Sequence, residues 1–146
     1  MKVQGKNYRT IWIKAEDEEV ISIIDQRYLP HRFITEDLHT VSDMVHAIKD
    51  MHVRGPGLIG AGAGYGMYLA TLEARHANSF DHVSTSAEAL KATRPTAVNL
   101  ERAVNRQLNA IAQGKTASGK IEIARKMGTL TAQEDAEYRT QTGMHG

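Results

Sequence analysis

Asp50-Met51-His52-Val53-Arg54-Gly55-Pro56-Gly57-Leu58-Ile59-Gly60-Ala61-Gly62-Ala63-Gly64-Tyr65-Gly66-Met67-Tyr68-Leu69 decides how this chain folds. It joins the end of one helical pattern to the start of another through a tight Arg-Gly-Pro-Gly turn. Gly55 and Gly57 have access to backbone angles closed to other residues, and Pro56 stiffens the turn. Beyond the turn, unpaired N–H groups at a helix N-terminus point outward, with Arg54 beside them, and such a start can cradle a phosphate or carboxylate. The competing reading is a helix–helix corner whose glycines serve packing alone. Composition by itself favours that corner, because ligand sites are few in any one protein.

Upstream of the turn, Thr40 opens a helix and Asp43 stands three residues on, a capping box with a shortened acid. Val41, Met44, Val45, Ile48 and Met51 recur at helical spacing and form one apolar face. Further upstream, Arg9–Lys14 alternates and is rich in β-branched and aromatic residues, as a strand is. Val20–Asp25 reads as a second strand, antiparallel to the first across the acidic tip Ala15–Glu19, and His31–Thr35 as a short third. Residues 1–37 thus form a β-meander and residues 38–146 a helical part of one α+β domain.

Downstream, a second helix is expected from Leu58 to Ala77. Four glycines inside it, Gly60, Gly62, Gly64 and Gly66, each cost about 1 kcal/mol against Ala. Their presence implies that another backbone or a ligand comes very close. Gly55-x-Gly57-x-x-Gly60 matches the dinucleotide fingerprint letter for letter, but that fingerprint follows a strand and this one follows a helix. Ser84 or Thr85 is expected to cap a short helix over Ser86–Lys91. Pro95 suits the first turn of the next helix, which runs to Ile111 and leaves Arg94 at a helix N-terminus. Standing alone, Arg94 is equally a surface residue ahead of a proline. Gly114-Lys115-Thr116 lacks the spacing and the lead-in strand of a P-loop and reads as a linker. A last helix covers Ile121–Met127 and resumes over Thr131–Thr142.

The chain has 146 residues, a net charge of +1 and no cysteine. That length buries a core without staples. The near-neutral, dispersed charge excludes an electrostatic case for nucleic acid or an acidic membrane. Without cysteine there is no disulfide, no thiolate nucleophile and no Cys-based zinc site. No apolar run is long enough to span a bilayer and the start lacks a signal-peptide core, so a cytoplasmic protein is expected. The seven histidines form no HExxH or HxH cluster and read as surface or half-buried residues. No metal and no cofactor are expected.

Three ordered strings resemble a known family. They are Asp25-Gln26-x-x-Leu29-Pro30; then Ala47-Ile48-x-x-Met51-x-Val53-Arg54-Gly55-x-x-Leu58-Ile59-Gly60-x-x-x-x-Tyr65-Gly66; then Arg94-Pro95-Thr96-Ala97-Val98-Asn99-Leu100. Together they are similar to the N-terminal domain of the methylthioribose-1-phosphate isomerase family. That family shares its fold with ribose-1,5-bisphosphate isomerase and the regulatory subunits of translation initiation factor two-B. The resemblance implies that Arg54, Gly55, Pro56 and Arg94 hold the phosphate of a sugar phosphate. It also implies an aldose–ketose isomerisation whose proton is moved by a cysteine and an aspartate of a second, Rossmann-like domain. The chain departs from the family in two ways. The turn reads Arg-Gly-Pro-Gly where members commonly have Arg-Gly-Ala-Pro, and no catalytic residue of the second domain is present. The expectation is a truncated chain, a fragment or one half of a two-chain protein, inactive alone. It would associate with itself or with a chain that supplies the second domain. The alternative is a non-catalytic protein-binding module of the initiation-factor kind.

Overall fold

The computed structural model describes residues 2–3, 6–7, 10–25, 27, 31, 34–53, 55–77 and 79–141, with the backbone alone at 2–3, 6–7, 56 and 136–141. Chain order is β1 (Lys2–Val3), β2 (Lys6–Asn7), β3 (Ile11–Ile13), β4 (Ile21–Ile24), β5 (Thr35–Leu38), α1 (Val41–Lys49), α2 (Pro56–Ala77), α3 (Asp81–Thr93), α4 (Val98–Ile111) and α5 (Ala117–Gln141). The architecture is α+β, as the sequence indicates.

β3, β4 and β5 form an antiparallel sheet in that order. Ile11 faces Ile23 across one ladder, and Ile21 faces Leu38 across the other. β4 is central and buried along its whole length. Its one polar side chain, Ser22, is satisfied by donating to Asp37 Oδ1 at 2.9 Å. Lys14 binds the other oxygen of Asp37 at 2.6 Å. The acidic tip is a solvated turn, closed by Lys14 N–H to the Val20 carbonyl at 2.9 Å. A separate two-stranded pair, β1 with β2, precedes the sheet and is not evident in the sequence pattern.

The helical part is built around α2. Every residue from Leu58 to Leu72 is buried, and α2 touches each of the other four helices. A helix surrounded this way shows no amphipathic stripe, because no face meets water. Its glycines set how near the neighbours come. A Cβ at Gly60 would lie 3.4 Å from the Asn99 carbonyl oxygen, and one at Gly64 would lie 3.6 Å from Gly128 Cα. Close backbone approach is therefore observed at these two positions. At Gly62 and Gly66 the neighbours are the side chains of Met44, Ile48 and Leu90 instead. Gln107 of α4 ties the layers together, donating its buried amide to the Gly64 carbonyl at 2.8 Å and the Ala124 carbonyl at 2.9 Å.

Several expectations are corrected. A strand of the meander is described at Thr35–Leu38, overlapping the expected His31–Thr35 only at Thr35; residues 32 and 33 of that expectation lie outside the described residues. α3 begins at Asp81, with Phe80 at the N-cap and no side-chain cap bond. Ser84 and Thr85 therefore lie inside the helix, and the Thr85 hydroxyl turns back onto the Asp81 carbonyl at 3.5 Å. The last helix is continuous from Ala117. Thr116 caps it by accepting from Gly119 N–H at 2.9 Å. Thr131, read as a new start, is mid-helix and donates to the Met127 carbonyl at 2.9 Å. Met51 is not on the apolar face of α1; it lies beyond the helix and is exposed.

Candidate functional site at the corner between α1 and α2

Both ends of α1 are closed by named groups. At its start, the Thr40 hydroxyl accepts from Asp43 N–H at 3.0 Å and the Asp43 carboxylate accepts from His39 N–H at 2.9 Å. Glu73 of α2 adds a second acid, accepting from Val41 N–H at 2.6 Å. At its end, His52 N–H bonds the Ala47 carbonyl at 2.8 Å and Met51 N–H bonds the Ile48 carbonyl at 3.3 Å. This paired closure is a Schellman motif. Met51 fills the position that favours glycine, at φ 65°.

Four residues later the chain starts α2. Gly55 has φ 95°, and its carbonyl accepts from Ile59 N–H at 2.9 Å. Gly55 is thus the N-cap and Pro56 the first helical residue. Proline costs nothing there, since the first N–H of a helix has no intrahelical partner anyway. The exchange of proline and the small residue in this turn therefore leaves Gly57 and Leu58 to supply the first-turn donors. α5 brings a carboxylate to the same helix start: a Cβ at Gly57 would lie 1.7 Å from Asp135 Oδ1. An acid is favoured at this end by the helix dipole.

Among the residues proposed for phosphate, Arg54 lies outside the described residues. Gly55 and Pro56 occupy the start of α2. Arg94 is at the C-cap of α3, three residues ahead of the α4 N-cap Ala97, and not at a helix N-terminus. The reason is that Pro95 and Thr96 form a turn of their own before α4 begins. The half-buried Arg94 guanidinium crosses to α1 and donates to the Ile48 carbonyl from Nη2 at 3.3 Å and Nε at 3.4 Å. A cation there complements the negative end of the α1 dipole. Arg94 also lines an open groove of about 280 Å3 with Lys91, Glu88 and Glu101.

The pattern reading missed a second group at this corner. His52 was expected at or near the surface, but it is 4% exposed. Its Nδ1 lies 2.6 Å from Glu36 Oε1 and 3.9 Å from Asp25 Oδ2. Asp25, at the end of β4, is buried too. Arg27 grips it, Nη2 to Oδ2 at 2.7 Å and Nε to Oδ1 at 3.0 Å, with Arg27 N–H adding a third bond at 3.0 Å. The Arg27 bonds hold the Asp25 carboxyl below its ordinary range, against the opposing effect of burial. The sequence carries no periodic signal of this cluster: His52 stands in the mixed stretch Lys49-Asp50-Met51-His52-Val53-Arg54.

No family model matches the chain. Individual proteins do. It is 40% identical over 147 residues to a methylthioribose-1-phosphate isomerase of Desulfatibacillum aliphaticivorans, a match covering 100% of this chain and 40% of that protein. It is 40% identical over 149 residues to one from Sinorhizobium medicae, again 100% of this chain and 39% of the relative. The chain is similar over its whole length to part of these methylthioribose-1-phosphate isomerases. It spans about two-fifths of the length of these curated relatives. Among solved structures, the 5-methylthioribose 1-phosphate isomerase of Pyrococcus horikoshii matches at TM-score 0.79 and 32% identity, over 88% of this chain and 37% of that one. The delta subunit of translation initiation factor eIF-2B from A. fulgidus matches at TM-score 0.80 and 31% identity, over 90% of this chain and 38% of that one. The fold therefore does not separate the isomerase from the initiation factor. Among the described residues, no helix is long and apolar enough to cross a membrane.

Proposed function

We propose that this chain provides the phosphate grip of an aldose–ketose isomerase acting on S-methyl-5-thioribose-1-phosphate, in cytoplasmic methionine salvage. Arg54, Gly55, Pro56 and Arg94 would hold the substrate phosphate, with residues 1–146 forming one folding unit. The observation that carries this reading is the reach of Arg94 onto the Ile48 carbonyl. It draws a guanidinium from the far end of α3 to the turn that leads into Gly55 and the α2 N-terminus. Two arginines and the first-turn N–H groups of a helix suit a bidentate grip on phosphate. Asp135 competes for the same helix start, so a bound phosphate has to displace or reorient that carboxylate.

The isomerisation needs a general acid and base. The resemblance places the cysteine and aspartate of that step in a second domain, and this sequence has no cysteine. The residues of this chain therefore bind and orient, and the proton is moved by groups supplied from elsewhere. The reading is preferred over a protein-binding module of the initiation-factor kind because the two curated relatives, at 40% identity, are methylthioribose-1-phosphate isomerases; between the two solved structures identity does not discriminate, at 32% and 31%.

The test is ligand-dependent melting. Methylthioribose-1-phosphate and inorganic phosphate should each raise the Tm with occupancy. Both shifts should shrink in Arg54→Ala and in Arg94→Ala. The chain alone should not turn the sugar phosphate over. A shift untouched by either arginine, or turnover that is lost in Arg94→Ala, would refute the proposed division of labour.

A further inference from the structure

His52 is a buried imidazole whose two nitrogens have different surroundings among the described residues. Nδ1 is 2.6 Å from Glu36 Oε1. Nε2 is buried and has no hydrogen-bond partner among the described residues. Leaving such a nitrogen unpaired costs about 1–3 kcal/mol. In the tautomer that lets Nδ1 donate to Glu36, Nε2 presents an unshared pair and needs a donor or a Lewis acid. A carboxylate behind one imidazole nitrogen is also the usual support for a metal on the other.

Two further ligands stand beside this ring. His46 and Asp50 come from the last turn and the C-cap of α1, and His52 from the Schellman turn that follows. The ligand atoms of His46, Asp50 and His52 all lie within 4.8 Å of one another. The His46 and His52 rings meet edge to face, with centroids 5.2 Å apart. His46 Nδ1 already contacts Asp50 Oδ2 at 2.9 Å. The two outer ligands are open to solvent, with 65% and 46% of their side chains exposed. The third, His52, is buried.

We propose that His46, Asp50 and His52 bind one divalent first-row cation of the zinc class, with Glu36 as the positioning residue behind His52. Two imidazoles and a carboxylate are a donor set that zinc, cobalt and nickel accept, and water completes the coordination. The neighbouring trio Asp25, Glu36 and His52 is as compact, but there the Arg27 guanidinium already holds Asp25. The His46 group contains no such cation among its described contacts. The ion would clamp the end of α1 to the segment that delivers Arg54 two residues later, and so stiffen the corner.

Zn2+ titrated into the tag-free chain, with chelator competition as the readout, tests this. One ion per chain should bind, with a rise in Tm. His46→Ala and Asp50→Asn should each weaken binding at least tenfold; both side chains are exposed, so neither change threatens the fold. Glu36→Gln should weaken it by about 10–100-fold, although Glu36 is not a ligand. His76→Ala, an exposed histidine elsewhere, should leave it unchanged. In 15N spectra, the His52 Nε2 resonance should move on adding Zn2+ while Nδ1 stays protonated. Binding that ignores His46 and Asp50, or that leaves the His52 nitrogens unmoved, would overturn the site.

Discussion

Glycine does two different jobs on either side of Pro56. Gly55 has a backbone angle of φ 95° and nothing within 4 Å of where its Cβ would be. Gly60, Gly62, Gly64 and Gly66 have helical angles, and each would put a Cβ within 4 Å of a neighbour. The first glycine is required by the chain's own path, and the other four lie where α2 is crowded. Gly55 is exposed and set by conformation; the helix behind it is dry and shaped by contact. A family motif that spans both therefore mixes a ligand-binding requirement with a packing requirement, and only substitution separates them.

The largest effect should come from the packed side. A Cβ at Gly66 would already meet Leu90 Cδ2 at 3.0 Å and Met44 Cγ at 3.2 Å. Gly66→Leu should destabilise by about 3 kcal/mol, the upper part of the usual range for overpacking. Gly62 is looser, with its nearest neighbour, Met44 Sδ, at 3.5 Å. Gly62→Ala should fit and stabilise by up to about 1 kcal/mol through helix propensity, whereas Gly62→Leu should reverse that sign. Urea melts of the three variants check this. A stabilised Gly66→Leu would show that α2 is not enclosed.

The next effect belongs to the corner's support. Arg27→Ala leaves the buried Asp25 carboxylate without its main partner. The cost should be roughly 1–2 kcal/mol, below that of a fully buried pair because Arg27 is partly in water. The pH dependence gives the sign. The native carboxyl of Asp25 titrates below its unfolded value, so its contribution is present above the unfolded value and is lost as pH falls through the native one. Arg27→Ala should flatten this acid limb as well as lower stability at neutral pH. An unchanged limb would mean that the grip on Asp25 does not control its titration.

Gly55→Ala should cost about 1 kcal/mol with no steric clash at all, since a left-handed backbone disfavours any Cβ. It should also reduce the phosphate-dependent rise in Tm. If instead it matches Gly62→Ala in sign, the contrast between the two glycine roles fails.

Much of this corner was legible because it is local. The cap at Thr40, the helical spacing of Val41, Met44 and Ile48, and the proline at the first turn of α2 follow from short-range rules, and the structure has them. What was not legible depends on contacts distant in sequence. α3 starts at Asp81 without a side-chain cap, so no capping residue announces it. α5 runs on through Gly128 and Thr131, where Gly128 is pressed against the Tyr65 ring; a glycine that reads as a break is there a packing contact. His52 is buried beside Glu36 of β5 and Asp25, the residue after β4, both distant from it in sequence. Likewise Asp135 reaches Gly57 across more than seventy residues of chain, which no periodicity reports.

The smallest effect at neutral pH tests the packed side where it meets the sheet. Tyr68 of α2 is 2% exposed, and its hydroxyl donates to the Glu18 carbonyl at 2.6 Å, pinning the turn between β3 and β4 to the helix. Tyr68→Phe keeps the ring and loses one hydrogen bond, so it should cost somewhat under 1 kcal/mol at pH 7. Burial pushes the phenol up to about 12, above the value near 10 of an exposed tyrosine. A group raised in this way contributes stability that is complete below its unfolded pKa and is lost as pH rises through the folded one. Between pH 10 and 12 the unfolded chain gains a phenolate that the folded one resists. Wild type should therefore lose stability over that window while Tyr68→Phe loses less, and the difference between them should shrink and then change sign. Paired urea melts across the window measure it. A constant difference would mean that Tyr68 ionises as freely as a surface phenol, and that the middle of α2 is open to water.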